Sequence, residues 1–521
     1  MNHGMRVDGY NFEFSGISGA VTALRATVDA TQWRETCRRA AFDGGRLVAL
    51  WGSDGSDAGA GFVVHVALVI GVGLIVITLP LADERYPDIS DIFPAAGRMQ
   101  RAVRDLFGLV AEGAADERPW LRHAAWPADI FPLRKDFSNH QSPVTSQSGA
   151  ADDYPFVQVA GDGVHEIAVG PVHAGTIEPG HFRFSVVGER ILRLEERLGY
   201  KHKGIEKRFE QMDFMEGAQL AGRISGDSTV AYAWAYAMAV ESAAGLTPPP
   251  RAAWLRAILL ERERIANHLG DLGFLGNDAG LAFGLTQFSS LKEDMLRLNY
   301  ELFGHRYLMD VVIPGGVARD LSADGLARMQ RECDAPERTV ARLKGIYDEH
   351  PGLQDRFITC GRVTPELAAR LGLTGLAGRA SGQAWDLRVE YPCVPYGELD
   401  VRMATHRNGD VAARVTVRFE EVSESLRLIR EMLARMPSGD LALPVPAAAA
   451  GAFGVGWIEG WRGEVLIALE AAGGSSIRRL HPHDPSWQNW PVLEHAVLGN
   501  IVPDFPLINK SFNLSYSGQD L

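Results

Sequence analysis

The sequence predicts an α+β protein in two unequal parts: a small N-terminal α+β unit, then a large, mainly helical unit with β-structure at its edge. Three observations predict it. An apolar, β-branched run at 61–81 is broken by glycines, a polar stretch interrupts the chain at 136–155, and apolar and amphipathic helical patterns dominate beyond it. At 521 residues the chain exceeds one ordinary core, and about two to four domains are expected.

The N-terminal unit is expected over residues 1–138. Its segment 20–47 reads as helical and then strand-like. The run 61–81 is long enough to raise a transmembrane helix. Its β-branched residues, the break at Gly71-Val72-Gly73, an internal His65 and the closing Pro80 instead favour a buried β-hairpin, so direct membrane insertion is not expected. Residues 95–109 form an amphipathic helical pattern, and 119–132 is an aromatic, proline-rich irregular stretch. Residues 139–155 are expected to be a linker, rich in Ser, Gln and Asp.

The second unit is expected over 156–521. A short strand pair is read at 166–169 and 182–187, with Gly188 at a turn. Helices follow at 231–244 (ended by Gly245 and Pro248-Pro249-Pro250), 255–269, 291–303 and 423–436; strand-like patterns return at 411–417 and 463–469.

Composition is that of an ordinary globular chain, with 46% apolar and 22% charged residues, and the net charge is −13. That balance argues against a broad basic face, so no nucleic-acid partner is expected. Cys37, Cys333, Cys360 and Cys393 form no C-x-x-C pair and no disulfide framework, which points to a reducing setting. The first residues lack the basic and apolar regions of a secretory signal. No G-x-G-x-x-G opens a strand-to-helix turn, so a nicotinamide cofactor would have to bind on another subunit.

Four ordered segments carry a recognisable pattern. Gly170-Pro171-Val172-His173 opens a loop ending Pro179-Gly180-His181-Phe182-Arg183; Tyr200-Lys201-His202-Lys203-Gly204-Ile205-Glu206-Lys207 follows. Then come Arg223-Ile224-Ser225-Gly226-Asp227-Ser228 and the stretch from Asp504-Phe505-Pro506-Leu507 to Ser515-Tyr516-Ser517-Gly518-Gln519-Asp520-Leu521. Together they resemble the large subunits of energy-converting nickel-iron hydrogenases, the formate hydrogenlyase and hydrogenase-4 kind, and the 49 kDa subunit of complex I. Ile92-Phe93-Pro94-Ala95-Ala96, Asp105-Leu106-Phe107-Gly108 and Leu133-Arg134-Lys135-Asp136 are similar to the 30 kDa subunit of complex I, fused ahead of it.

The resemblance implies where metal ligands would stand. In the hydrogenases two C-x-x-C pairs hold the nickel-iron centre, because both metals favour soft anionic thiolates. Here Ser225 and Ser228 stand at the first pair and Ser515 and Gly518 at the second. Serine is a hard neutral donor and glycine no donor, so the nickel-iron centre is expected to be absent and hydrogen activation by this chain is not expected. The chain also reaches Leu521 without the extension that many hydrogenases lose after metal insertion, which agrees with that expectation. Complex I uses the vacated space for a quinone headgroup. Ungapped matching puts Gly226 where its tyrosine would be, which argues against standard quinone chemistry, while His173 or His181 in the preceding loop remains available to a quinone headgroup.

The candidate pocket and proton-relay residues are His173, Glu178, His181, Glu206, Arg223, Asp227 and Arg388. His173 and His181 flank a turn with Glu178 between them and titrate near neutrality, or else simply bond backbone carbonyls. Glu206 matches a family glutamate that binds magnesium or relays protons; Lys207 or Arg223 is its expected ion-pair partner. Asp227 is paired in expectation with Arg388. His481-Pro482-His483-Asp484 is read as structural rather than as a metal site. The resemblance implies a subunit of a membrane-associated oxidoreductase complex, peripheral on the cytoplasmic side of the inner membrane. Iron-sulfur clusters would sit on a small hydrogenase-like or complex I-like partner, and antiporter-like and other membrane-arm subunits would complete the assembly. Two alternatives are a purely structural or regulatory subunit and a subunit of an NADH-quinone oxidoreductase whose NAD binds on partners.

Overall fold

The computed structural model describes residues 5–123, 125–137, 154–175 and 177–521. The expected linker at 139–155 lies, except for its last two residues, outside the described residues.

The N-terminal part is built on strands β1 (Met5–Arg6), β2 (Glu13–Ile17) and β3 (Ala23–Thr27), helix α1 (Ala30–Phe42), and strands β4 (Arg46–Asp54), β5 (Phe62–Ile70) and β6 (Gly73–Pro80). They form one six-stranded sheet in the order β1-β2-β3-β6-β5-β4, in which β3 runs parallel to β6. Residues 20–47 are therefore strand, helix, strand rather than helix then strand. Asp29 starts α1 by accepting the Gln32 N–H at 2.8 Å, in a capping box that sequence patterning does not register. The expected hairpin at 61–81 forms, with Ile70 opposite Gly73. Its continuous apolar character follows from burial on both faces. One face packs on α1 through Trp33 and Cys37; the other meets Val455, Trp457, Leu466 and Ala468 of the second unit. The parallel pair β7 (Arg85–Pro87) and β8 (Val110–Glu112) flanks α2 (Ala96–Phe107).

The second unit opens with a three-stranded antiparallel sheet, β9 (Val164–Val169), β10 (His181–Val187) and β11 (Arg190–Arg197), in the order β11-β10-β9. The third strand is masked in the sequence by its charged residues, of which Arg193, Glu195 and Glu196 lie in ion pairs. Short helices α3 (Ile205–Phe209) and α4 (Phe214–Ala221) lead to α5 (Thr229–Ala244), α6 (Pro250–Asp278) and α7 (Ala282–Phe303). A two-residue pair, β12 (Val312–Ile313) and β13 (Gly316–Val317), precedes the long α8 (Ala323–Glu349) and α9 (Pro351–Phe357), α10 (Pro365–Leu371), α11 (Gly375–Ala380) and α12 (Leu387–Glu390). Then come α13 (Val411–Ala434), a sheet of β14 (Phe453–Glu459), β15 (Glu464–Gly473) and β16 (Ser476–His483), and α14 (Ser486–Ala496), α15 (Phe505–Phe512) and α16 (Tyr516–Asp520).

The strand expected at 411–417 is instead the first two turns of α13. Asp410 caps it by accepting the Ala413 N–H at 2.9 Å, and Arg414, Arg418, Glu421 and Ser425 all point into a buried polar network. Tertiary partners at helical spacing override the β-branched local preference. At the centre, α5 is buried from Thr229 to Ser242 and packs against β14 and β15. Gly456 permits this approach: a Cβ there would lie 1.8 Å from the Ala235 carbonyl oxygen.

The two units meet over a broad junction. Arg98 of α2 bridges Glu196 (3.1 Å) and Glu494 (2.7 Å), Gln488 donates to the Val48 carbonyl at 2.5 Å, and Trp51 stacks on His481 at 5.0 Å. Among the described residues no helix is long and apolar enough to cross a membrane.

Candidate functional site

Residues distant in sequence converge at the start of α5 and at the C-terminal end of the described chain. Ser225 lies in the turn before α5 and Ser228 is the residue that precedes its first turn; Ser515 caps α16 by accepting the Gly518 N–H at 2.9 Å. The Ser225 and Ser515 hydroxyls lie 2.9 Å apart, and Ser225 donates to Asp227 at 2.9 Å. The N-terminus of α5 is capped from another helix: Glu263 of α6 accepts the N–H groups of Val230 (2.6 Å) and Ala231 (3.2 Å). Burial pushes the Glu263 carboxyl up to about 8.

The tight turn between β14 and β15 fills the space between these residues. Its Arg462 donates to Asp227 at 2.8 Å, to the Ser228 hydroxyl at 3.1 Å and to the Asn513 carbonyl at 2.5 Å, while its guanidinium lies 4.0 Å from the Trp461 ring centroid. Trp461 donates its indole N–H to the Asp227 carbonyl at 2.8 Å. Burial works against a charged Asp227, but Arg462 and the Ser225 hydroxyl outweigh it and hold the carboxyl at about 2. The Asp227 side chain is 41% accessible, so water shares in that stabilisation.

On the other side of the site Asp484 accepts the Tyr232 hydroxyl at 2.7 Å and the Ser486 N–H at 2.8 Å. A Cβ at Gly518 would meet an Asp484 carboxylate oxygen at 2.3 Å. Glycine is thus what makes room for Asp484. The assembled groups are hydroxyls, carboxylates and one guanidinium, able to exchange hydrogen bonds and hold charge. All four cysteines are buried elsewhere, and burial pushes their thiols up to about 11 or 12.

Comparison with known proteins bears on this arrangement. Residues 26–143 match the model for the respiratory-chain NADH dehydrogenase 30 Kd subunit, and residues 278–452 match that for the 49 Kd subunit. Formate hydrogenlyase subunit 5 of Escherichia coli is 32% identical, over 92% of this chain and 85% of its own. The chain belongs to the formate hydrogenlyase and complex I large-subunit family. The NADH-quinone oxidoreductase C/D protein of Phocaeicola vulgatus is 28% identical over 82% of this chain and 86% of its own. A solved structure of the membrane-bound sulfane sulfur reductase, an archaeal respiratory membrane complex, contains a chain that superposes with a TM-score of 0.65 at 26% identity. It covers 69% of this chain and 98% of that one.

In this family member the glycine-proline loop at 170–181 is clipped onto α16. Glu178 accepts the Ser517 N–H at 3.0 Å, and His173 Nε2 lies 3.3 Å from the Tyr516 hydroxyl. His181 points elsewhere, with Nδ1 3.3 Å from the Gly170 carbonyl oxygen. Burial lowers both histidines from their ordinary value. They have separate partners rather than forming a pair with each other.

Two expected pairings, of Glu206 and of Asp227, are corrected. Glu206 is held by Arg479 (2.7 Å) and His481 (2.8 Å), not by Lys207 or Arg223. Lys207 instead donates to the Arg134 carbonyl at 3.0 Å, and Arg223 forms an exposed pair with Asp310 at 2.6 Å. Asp227 pairs with Arg462, while Arg388 binds Asp386 (2.7 Å) and Glu261 (3.1 Å) deep in the core. For Glu206 and Asp227 alike, the expected partner lost to a residue delivered by the C-terminal sheet or its turns. Against the penalty of burial, Arg479 and His481 hold Glu206 at about 2. Both donors reach the same Glu206 oxygen, Oε1, and among the described residues no three His, Cys, Asp or Glu side chains gather as a metal-ligand group.

Sequence reading misses Arg462, Trp461 and Tyr232. For Trp461 and Arg462 the signal available is Glu459-Gly460-Trp461-Arg462-Gly463-Glu464, a charged glycine turn just ahead of the strand-like pattern at 463–469. His481 and Asp484 stand out as a motif, but their partners lie 275 and 252 residues away.

Proposed function

We propose that the chain is the hydrogenase-like large subunit of a membrane-associated oxidoreductase complex related to formate hydrogenlyase and complex I, and that it works without a nickel-iron centre. The observation that carries this reading is the convergence of Ser225, Ser228, Ser515 and Gly518 around the Asp227–Arg462 ion pair and Asp484. The residues present do not fit the metal pair. Three neutral hydroxyls, those of Ser225 and Ser515 already hydrogen-bonded to one another, stand in place of thiolates, and the space a side chain at 518 would need belongs to Asp484. Residues 1–138 and 156–521 would be the two modules, offering surfaces to an iron-sulfur partner and to antiporter-like membrane-arm subunits. In that setting the subunit would lie on the cytoplasmic side of the inner membrane and pass electrons or conformational energy between its neighbours. The test is purification of the intact complex with metal analysis and a hydrogen-uptake assay. Far less than one nickel per chain and no hydrogen uptake are expected; stoichiometric nickel with hydrogen uptake overturns the reading.

A quinone-binding role is favoured by a second observation. The half-buried His173 meets Tyr516 beneath a loop whose Val172 is 83% exposed, an apolar edge beside a hydrogen-bonding pair. His173→Ala and Tyr516→Phe are expected to reduce quinone turnover by the intact complex about tenfold or more, equivalent to loss of roughly 1.4 kcal/mol of headgroup binding. Turnover indifferent to changes at His173, His181 and Asp227 would support a structural or regulatory subunit instead.

A further inference from the structure

Behind the site, the core of the large unit holds a cluster of ion pairs that this reading does not use. Glu459, at the end of β14 and fully buried, accepts from Arg379 at 2.7 Å and from the Leu387 N–H at 3.3 Å. Arg379, from α11, also grips Glu421 of α13 at 2.8 Å and lies 3.6 Å from Asp386. Asp386 pairs with Arg388 of α12, which reaches Glu261 of α6. Arg264 closes the ring, 3.3 Å from Glu261 and 3.7 Å from Glu421. His268, 2.7 Å from Glu421, is lowered from its ordinary value by burial, which favours its neutral form.

Three guanidiniums therefore face four carboxylates, which leaves one uncompensated negative charge if all ionise. In a low-dielectric interior that charge costs far more than binding a proton. Glu459 is the carboxylate with the weakest claim on a cation. Among the described residues Arg379 is its one ion-pair partner, and that guanidinium is shared with Glu421 and Asp386. Glu464, at the start of β15, adds a further nearby negative charge, itself paired with Arg46 of the N-terminal unit at 2.7 Å. Burial, Asp386 and Glu464 push Glu459 up to about 7. Asp386 stays at about 2, and Glu261 and Glu421 lie below their ordinary value.

We propose that Glu459 is a proton-binding site in the core of the large unit, and that the β14–β15 turn ties its charge to the Asp227–Arg462 pair and to the N-terminal unit. The turn is short and closed by reciprocal backbone bonds between Gly460 and Gly463 (2.8 and 3.2 Å). Within six residues it sends Glu459 into the cluster, Trp461 and Arg462 into the site, and Glu464 to Arg46. Loss of the proton places a full negative charge behind the turn that holds Arg462. The inference goes beyond the redox reading and stands on the core alone, whatever the site binds.

The test is infrared difference spectroscopy of the purified chain between about pH 5 and about pH 9, reading the carbonyl stretch of protonated carboxyls. Glu263 and Asp520, also raised by burial to about 8 and about 7, and Glu196, raised well above its ordinary value, contribute to the same region, so variants isolate the signal. Glu459→Gln should remove one carboxyl's amplitude. Glu421→Gln, which balances three carboxylates against three guanidiniums, should ionise Glu459 and remove its amplitude at neutral pH. A spectrum unchanged by Glu459→Gln, or an amplitude that survives in a folded Glu421→Gln protein, overturns the proposal. If Glu421→Gln does not fold, the wild-type and Glu459→Gln spectra decide it. Stability gives an independent reading. A raised carboxyl binds more protons folded than unfolded, so the Glu459 contribution to stability should fall as pH rises from about 4.5 to about 7, and it is read as the change with pH in the difference between wild type and Glu459→Gln.

Discussion

At the scale of single residues, the decisive features are the contacts that replace expected ones. Glu206 is held by Arg479 and His481 at about 2, below its ordinary 4.5. A depressed carboxyl stabilises the fold above its unfolded value and loses that contribution as pH falls, here from about 4.5 through about 2. The shift corresponds to about 3 kcal/mol. Glu206→Gln should be less stable by about that amount at neutral pH, because Arg479 stays buried without its anion. Urea unfolding at pH 7 and at about pH 3 reads this, with the wild-type and variant midpoints converging at the lower pH. Gly518 is the other sensitive residue. Gly518→Ala puts a methyl 2.3 Å from Asp484, and the strain should cost about 1–3 kcal/mol and disturb the Tyr232 hydrogen bond. Thermal unfolding measures the first effect, and the absorption of Tyr232 in ultraviolet difference spectra the second.

Elements show why the site is assembled where it is. The helix α5 carries Ser228 to the site only because it can lie directly on β14, and that contact depends on Gly454 and Gly456. At Gly456 the neighbour is helix backbone, which cannot swing aside. Gly456→Val should therefore destabilise by more than about 3 kcal/mol or prevent folding, whereas Gly245→Asn at the end of α5, with open space around its left-handed φ of +67°, should cost less than about 1 kcal/mol. Comparative yields and denaturation midpoints distinguish the two. The same scale explains the misread stretch at 411–417. Its alternating Val residues satisfy a strand pattern, but Asp410 caps a helix and the Arg residues four apart reach Gly361 and Asp271 only along one helical face.

For the whole molecule, the junction between the units determines whether the site stays intact. Arg98 bridges two carboxyl groups from the second unit, and Glu196 is 1% exposed. Burial raises Glu196 well above its ordinary value despite Arg98. Arg98→Ala should force Glu196 to remain protonated at neutral pH and weaken the junction by about 2–4 kcal/mol. Hydrogen exchange should then rise at β11 and α14, the strand and helix that Arg98 joins, while the interior of α6 stays protected. Unchanged exchange at β11 would mean that the Trp51–His481 stack and the Gln488–Val48 bond hold the units together without Arg98.

The amino-acid sequence by itself determined the fold class, the hairpin at 61–81, the family and the four positions Ser225, Ser228, Ser515 and Gly518. These are properties of local periodicity, turn residues and motif spacing, all contained within a few neighbouring residues. Only the tertiary structure decided that Arg462 meets Asp227, that Asp484 occupies the space beside Gly518, that Arg479 and His481 hold Glu206, and that four carboxylates share three guanidiniums around Glu459. Those pairings join residues up to 275 positions apart, and a buried charge takes whichever partner packing delivers, a choice that no local pattern encodes.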